Sequence, residues 1–106
     1  MHIPTKPERL VIQGVTVRGQ AFRPRDWAER LCGCVATVGP DRRQQFSPYV
    51  YISFLYGVKS LVVESRLWES NPKNYDFLLS FARDNNLRMI EESEENEFAI
   101  AVAVGQ

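Results

Sequence analysis

The stretch that most restricts the fold is SPYVYISFLYGVKSLVVE, residues 47 to 64. It reads as two strands joined at Tyr56-Gly57, a dipeptide that can serve as a two-residue hairpin loop because glycine accepts the left-handed backbone. That loop fixes a register. Leu55 stands opposite Val58, Ile52 opposite Leu61 and Val50 opposite Val63, and directly paired residues share a face. Val50, Ile52, Phe54, Leu61 and Val63 therefore form one apolar set. Tyr49, Tyr51, Ser53, Ser60, Val62 and Glu64 occupy the other face. A slip of one residue would mix the two sets, so the pattern itself argues for this pairing. The apolar set requires a covering layer, which the rest of the chain must supply.

Two segments switch to helical period. In RPRDWAERLCGCVATVG, Trp27, Leu31, Cys34, Val35 and Val38 fall on one stripe, with Pro24 in the first turn and Gly39-Pro40 as the stop. In SNPKNYDFLLSFARDNNL, Tyr75, Leu78, Leu79 and Ala82 form the stripe; Ser70 or Asn71 caps it, Pro72 starts it and Asn85-Asn86 ends it. Leu10 to Val17 reads as a strand that turns at Arg18-Gly19 and returns to Phe22. LRMIEE and EFAIAVAV read as two more strands around the acidic turn SEEN, with Ala99, Ala101 and Ala103 on one face of the last. Residues 1–8, with two prolines, read as a flexible arm, and 9–106 as a single α+β domain. The order strand, helix, strand, strand, helix, strand predicts a two-layer sandwich, the ferredoxin-like plait, with an added C-terminal hairpin strand. Both helices would then lie on the Val50/Ile52 side, leaving Tyr49 and Tyr51 on a helix-free face.

A length of 106 residues at 44% hydrophobic supplies one core and no more. The net charge is zero, a poor basis for gripping nucleic acid, but the halves differ. Residues 1–66 hold ten Lys/Arg against five Asp/Glu, and residues 67–106 hold three against eight. No stretch approaches the roughly 20 apolar residues of a membrane helix, and MHIPTKPERL lacks the apolar block of a secretory signal. The expectation is a cytoplasmic protein without membrane contact.

The inventory of reactive groups argues against catalysis. The single histidine, His2, falls in the arm, so no nucleophile and base pair can be built around it. Cys32-Gly33-Cys34 has too few ligands for zinc and the wrong spacing for a redox pair; on the helix Cys34 would point to the core and Cys32 to its margin. Neither a cofactor nor a metal is expected. Arg23, Arg25, Arg42 and Arg43 flank the first helix and are candidates for binding an anion, since the guanidinium fork suits carboxylate or phosphate. The plainer reading is a solvated, charge-paired surface, with Asp26 meeting Arg30 at i, i+4. Tyr49, Tyr51, Val62 and Glu64 are the interface candidates, because tyrosine on an open sheet face is enriched at protein contacts.

The blocks FRPRDWAERL, GPDRRQQFSPYV and FARDNNL resemble those of a family of short bacterial proteins catalogued only as a domain of unknown function, over Val11 to Leu87. The resemblance implies a single α/β plait domain of about this length and carries no activity or ligand residues with it. The function expected is a non-enzymatic accessory or regulatory module acting through protein contact, with a partner or as a homodimer. One alternative is a sensor binding an anionic metabolite through its arginines; another is weak nucleic-acid binding on the open sheet face.

Overall fold

The structure, a computed structural model, describes residues 8–38, 41, 43–93 and 96–102. Strand β1 (Arg9–Thr16) is followed by helix α1 (Trp27–Cys34) and the two-residue strands β2 (Thr37–Val38) and β3 (Gln44–Gln45). The hairpin β4 (Val50–Leu55) and β5 (Val58–Glu64) leads into α2 (Arg66–Ser70) and α3 (Pro72–Asp84), and β6 (Leu87–Ser93) and β7 (Asn96–Val102) close the order. The long strands make one antiparallel sheet in the order β4-β5-β1-β6-β7, and β2 and β3 pair separately. The protein is thus of the α+β class. No helix among the described residues is long and apolar enough to cross a membrane. The expected arm, 1–8, lies outside the described residues apart from Glu8, whose carbonyl accepts from the Ser65 N–H.

The local devices that shape these elements were largely readable. Tyr56 and Gly57 both adopt positive φ, 54° and 79°, and the hairpin register matches the one expected, from Leu55↔Val58 to Val50↔Val63. That mirror-image turn matches the twist of the strands it joins. Asn71 caps α3 by accepting from the Asn74 N–H, Pro72 begins it, and Asn86 leaves it at φ 55°. Gly14 fills a different need. A Cβ there would lie 2.9 Å from the Lys59 carbonyl oxygen and 3.0 Å from Trp27 Nε1, so only glycine lets β1, β5 and α1 meet this closely.

The core lies on one side of the sheet. Leu10, Ile12, Val50, Leu61, Val63, Leu87 and Met89 meet Trp27, Ala28, Leu31, Val35, Leu67, Tyr75, Leu78 and Ala82 in one buried cluster. Val11, Val62 and Ile90 point to the opposite side and stand outside that cluster. Four expectations need correction. Tyr49 is not on the helix-free face: it precedes β4, its N–H donates to the Ser47 hydroxyl, and its ring packs against the core. The strand alternation that would have turned it outward begins only at Val50. Cys34 is exposed and Cys32 half-buried against the core, because the buried stripe of α1 is centred on Ala28, Leu31 and Val35. Helix α1 ends at Cys34, so Val38 belongs to β2 rather than to that stripe. Pro24 precedes the helix in a turn, where its carbonyl accepts from the Trp27 N–H, after a cis Arg23-Pro24 bond.

Candidate functional site

On the helix-free side one row runs straight across the sheet. Tyr51 is paired with Val62, Val62 with Val11, Val11 with Ile90, and Ile90 with the backbone position of Ala101. Val62 is only 1% exposed, so of the interface candidates it cannot meet a partner directly. The same side carries a chain of polar contacts. The Arg9 guanidinium sits beside the Tyr51 phenol and lies 3.0 Å from Glu92, and Glu92 in turn accepts from the Tyr56 hydroxyl. The Tyr51 contact, with Glu92 and Glu64 nearby, raises the Arg9 pKa above its usual value against the lowering effect of burial. The hydrogen bond to Glu92 pushes the Tyr56 phenol pKa up in the same way. Two tyrosines of the hairpin are therefore tied to β1 and β6 rather than swinging in solvent. Glu64 is half-buried, and its N–H donates to the Tyr49 carbonyl.

The exposed aromatic surface gathers along the β4 edge. Phe54 is 76% exposed, Phe46 60%, Tyr56 54% and Tyr51 36%. All four fall in the segment 46–56, which ends at the hairpin turn. Strand β4 itself, VYISFL, carries no charge and no proline, and its pairing with β5 runs without a bulge. Natural sheets usually blunt an open edge with one of those devices. The signal for Phe54 was present in the sequence but read otherwise. It does share the Ile52 face, yet it stands next to the turn, where the helices leave it uncovered.

The ladder pattern shows which backbone groups the edge presents. In a two-residue hairpin the flanking pair, Leu55 and Val58, exchanges both hydrogen bonds, and the pattern then alternates. The Glu64 N–H to Tyr49 carbonyl bond, 2.8 Å, agrees with that parity. Tyr51, Ser53 and Leu55 thus bond to β5, while Val50, Ile52 and Phe54 turn their amides and carbonyls outward. Val50 directs its N–H at the Ser47 carbonyl, 3.4 Å away.

The described arginine candidates make separate contacts. Arg23 and Arg25 are exposed before α1, and the Arg25 carbonyl accepts from Lys59 Nζ at 2.9 Å. Lys59 also holds both Glu29 carboxylate oxygens, at 2.6 and 2.7 Å, which lowers the Glu29 pKa and pins the start of α1 over β5. Arg43 pairs loosely with Asp41 in its own loop, 3.9 Å apart, and Arg42 lies outside the described residues. Arg30 bonds Asp26 at 3.0 Å, as the i, i+4 spacing implied. A cleft of about 270 Å³ lies between the end of α1, the loop before β4 and the start of α3. Its wall mixes Phe46, Tyr49 and Leu67 with the amides of Gln45, Asn71 and Asn74 and the hydroxyls of Ser47 and Ser70, and none of its described residues is an arginine. Among the described residues no three His, Cys, Asp or Glu come together to hold a metal.

Comparison with known proteins places this geometry in context. A family model described as a protein of unknown function (DUF3579) matches residues 6–92. A solution structure, described as the first structural representative of its family, is 34% identical, with a TM-score of 0.76 over 86% of this chain and 84% of that one. No curated protein matches.

Proposed function

The chain belongs to DUF3579, a family of unknown function, and we propose that it is a non-enzymatic accessory or regulatory module that works by contact with a protein partner. The observation that carries this reading is the uncharged β4 edge with Phe46, Tyr51, Phe54 and Tyr56 exposed along it. Aromatic residues are enriched in interface cores, and large apolar side chains exposed on both faces of one unblunted edge strand suit a partner that wraps that edge. The tie of Tyr51 and Tyr56 to Arg9 and Glu92 supports the reading, because an anchored side chain loses less freedom on binding. Of the sequence candidates, Tyr51 stays in the proposed surface, Tyr49 borders it from the core side, and Val62 and Glu64, on β5, stand behind it.

The same proposal takes the architecture as a ferredoxin-like plait with one strand added. In support, β1, β4, β5 and β6 alternate with helices in the expected sequence, and β1 and β5 lie between β4 and β6. It also places the protein in the bacterial cytoplasm, where the two free thiols would be kept reduced.

A photoreactive phenylalanine analogue tests the contact. Placed at Phe54 it should give one discrete protein adduct in cells, and none when placed at Phe77, which is exposed on α3. No adduct from position 54, or the same adducts from both positions, would overturn the reading.

A further inference from the structure

The β4 edge is self-complementary. From its outward-facing groups we infer that a second copy of this chain pairs with it, strand β4 against strand β4 of the other copy, antiparallel about a twofold axis at Ile52. This deepens the proposed contact surface and rests on that reading.

The geometry follows from the ladder parity. With Ile52 opposite its own counterpart, Val50 of each copy stands opposite Phe54 of the other. All three residues turn their backbone groups outward, so each pair is of the hydrogen-bonded type. The Ile52 pair exchanges two N–H to carbonyl bonds, and each Phe54 N–H reaches the Val50 carbonyl of the other copy. Each Val50 N–H can leave its long 3.4 Å contact with Ser47 to complete the ladder. No other centre on the strand engages as many groups. The two sheets would then run on as one, with the edge removed.

Side chains agree with this register. Phe54, on the helix side but beyond the helices, would lie over Val50 of the other copy, beside the buried cluster to which Val50 belongs. Tyr51 would neighbour Ser53 on the opposite face. No charge on Val50–Leu55 opposes its counterpart across the axis, a condition a charged edge strand would violate.

Area sets the strength. An aromatic side chain presents roughly 150–250 Å². From the exposed fractions of Phe46, Tyr51 and Phe54 this amounts to roughly 350 Å² per copy, or about 700 Å² over both. The strand backbone with Ile52 and Leu55 brings the total towards the ~1,200 Å² at the low end of specific interfaces. A contact of that size gives a dimer that forms and dissociates with concentration.

Sedimentation equilibrium of the purified chain from about 10 μM to about 1 mM tests the inference. The mass should rise from 12.2 kDa towards twice that value. Ile52→Pro removes an outward N–H that no described residue uses, and proline is tolerated at such an edge position. It and Phe54→Lys should each weaken the dimer by about ten-fold or more, with Phe77→Lys unchanged. Circular dichroism on each variant separates loss of pairing from loss of fold, and a variant that unfolds is replaced by Ser53→Lys, which sets two lysines beside the axis. A chain that stays monomeric at about 1 mM, or a dimer indifferent to all three edge substitutions, overturns the pairing. If monomers persist while position 54 still yields a discrete adduct with a different protein, self-pairing fails and the wider reading stands.

Discussion

Cys32 and Cys34 are two residues apart on the same short helix, yet their surroundings differ. Burial pushes the Cys32 thiol pKa up, with Glu29 adding to the shift, whereas Cys34 faces solvent. The thiolate is the reactive form, so an alkylating reagent near neutral pH should modify Cys34 well before Cys32. Peptide mapping after partial alkylation reads the order, and equal rates would contradict the placement of α1. Tyr56 offers a second check. Its phenol donates to Glu92, so the neutral form is favoured in the folded chain and its pKa lies above the ordinary 10.0. The stabilisation is therefore complete below the unfolded value and is lost as pH rises through the folded one. An NMR titration of the Tyr56 ring should show late ionisation, which moves back towards the ordinary value in Glu92→Ala.

At the scale of elements, the contacts that order the layers are made by few atoms. Gly14 is where β1 passes β5 and the Trp27 indole together, and neither the Lys59 backbone nor a ring held in the core can yield easily. Gly14→Ala should destabilise the fold by about 1–3 kcal/mol, the usual effect of overpacking. Thermal or urea unfolding measures it, and a neutral effect would mean that α1 is free to shift. Legibility also divides by element. The β4–β5 register was readable because a two-residue loop leaves one pairing that keeps the apolar set together. The ends of α3 were readable because Asn71, Pro72 and Asn86 each have a steric or hydrogen-bonding reason to be there. Helix α2 was missed, since five residues are too few to display a period. The inward turn of Tyr49 was missed because nothing in an alternating pattern marks the residue at which alternation starts.

The whole molecule decides what no local pattern contains: where the helical layer stops. Phe54 obeys the alternation and still meets water, because burial on a face depends on the element above it rather than on the strand. The candidate site therefore came only in part from the sequence. Tyr51 was legible as an outward tyrosine; the edge position of β4, which gives it meaning, is a property of the strand order. That order also makes the account testable at single amides. Residue-resolved hydrogen exchange on dilute protein should show Tyr51, Ser53 and Leu55 protected and Ile52 and Phe54 exchanging fast, with Ile52 and Phe54 becoming protected as concentration rises. Uniform protection from Tyr51 to Leu55 in dilute protein, or fast exchange at Ile52 and Phe54 at every concentration, would contradict an open β4 edge that pairs with a second copy.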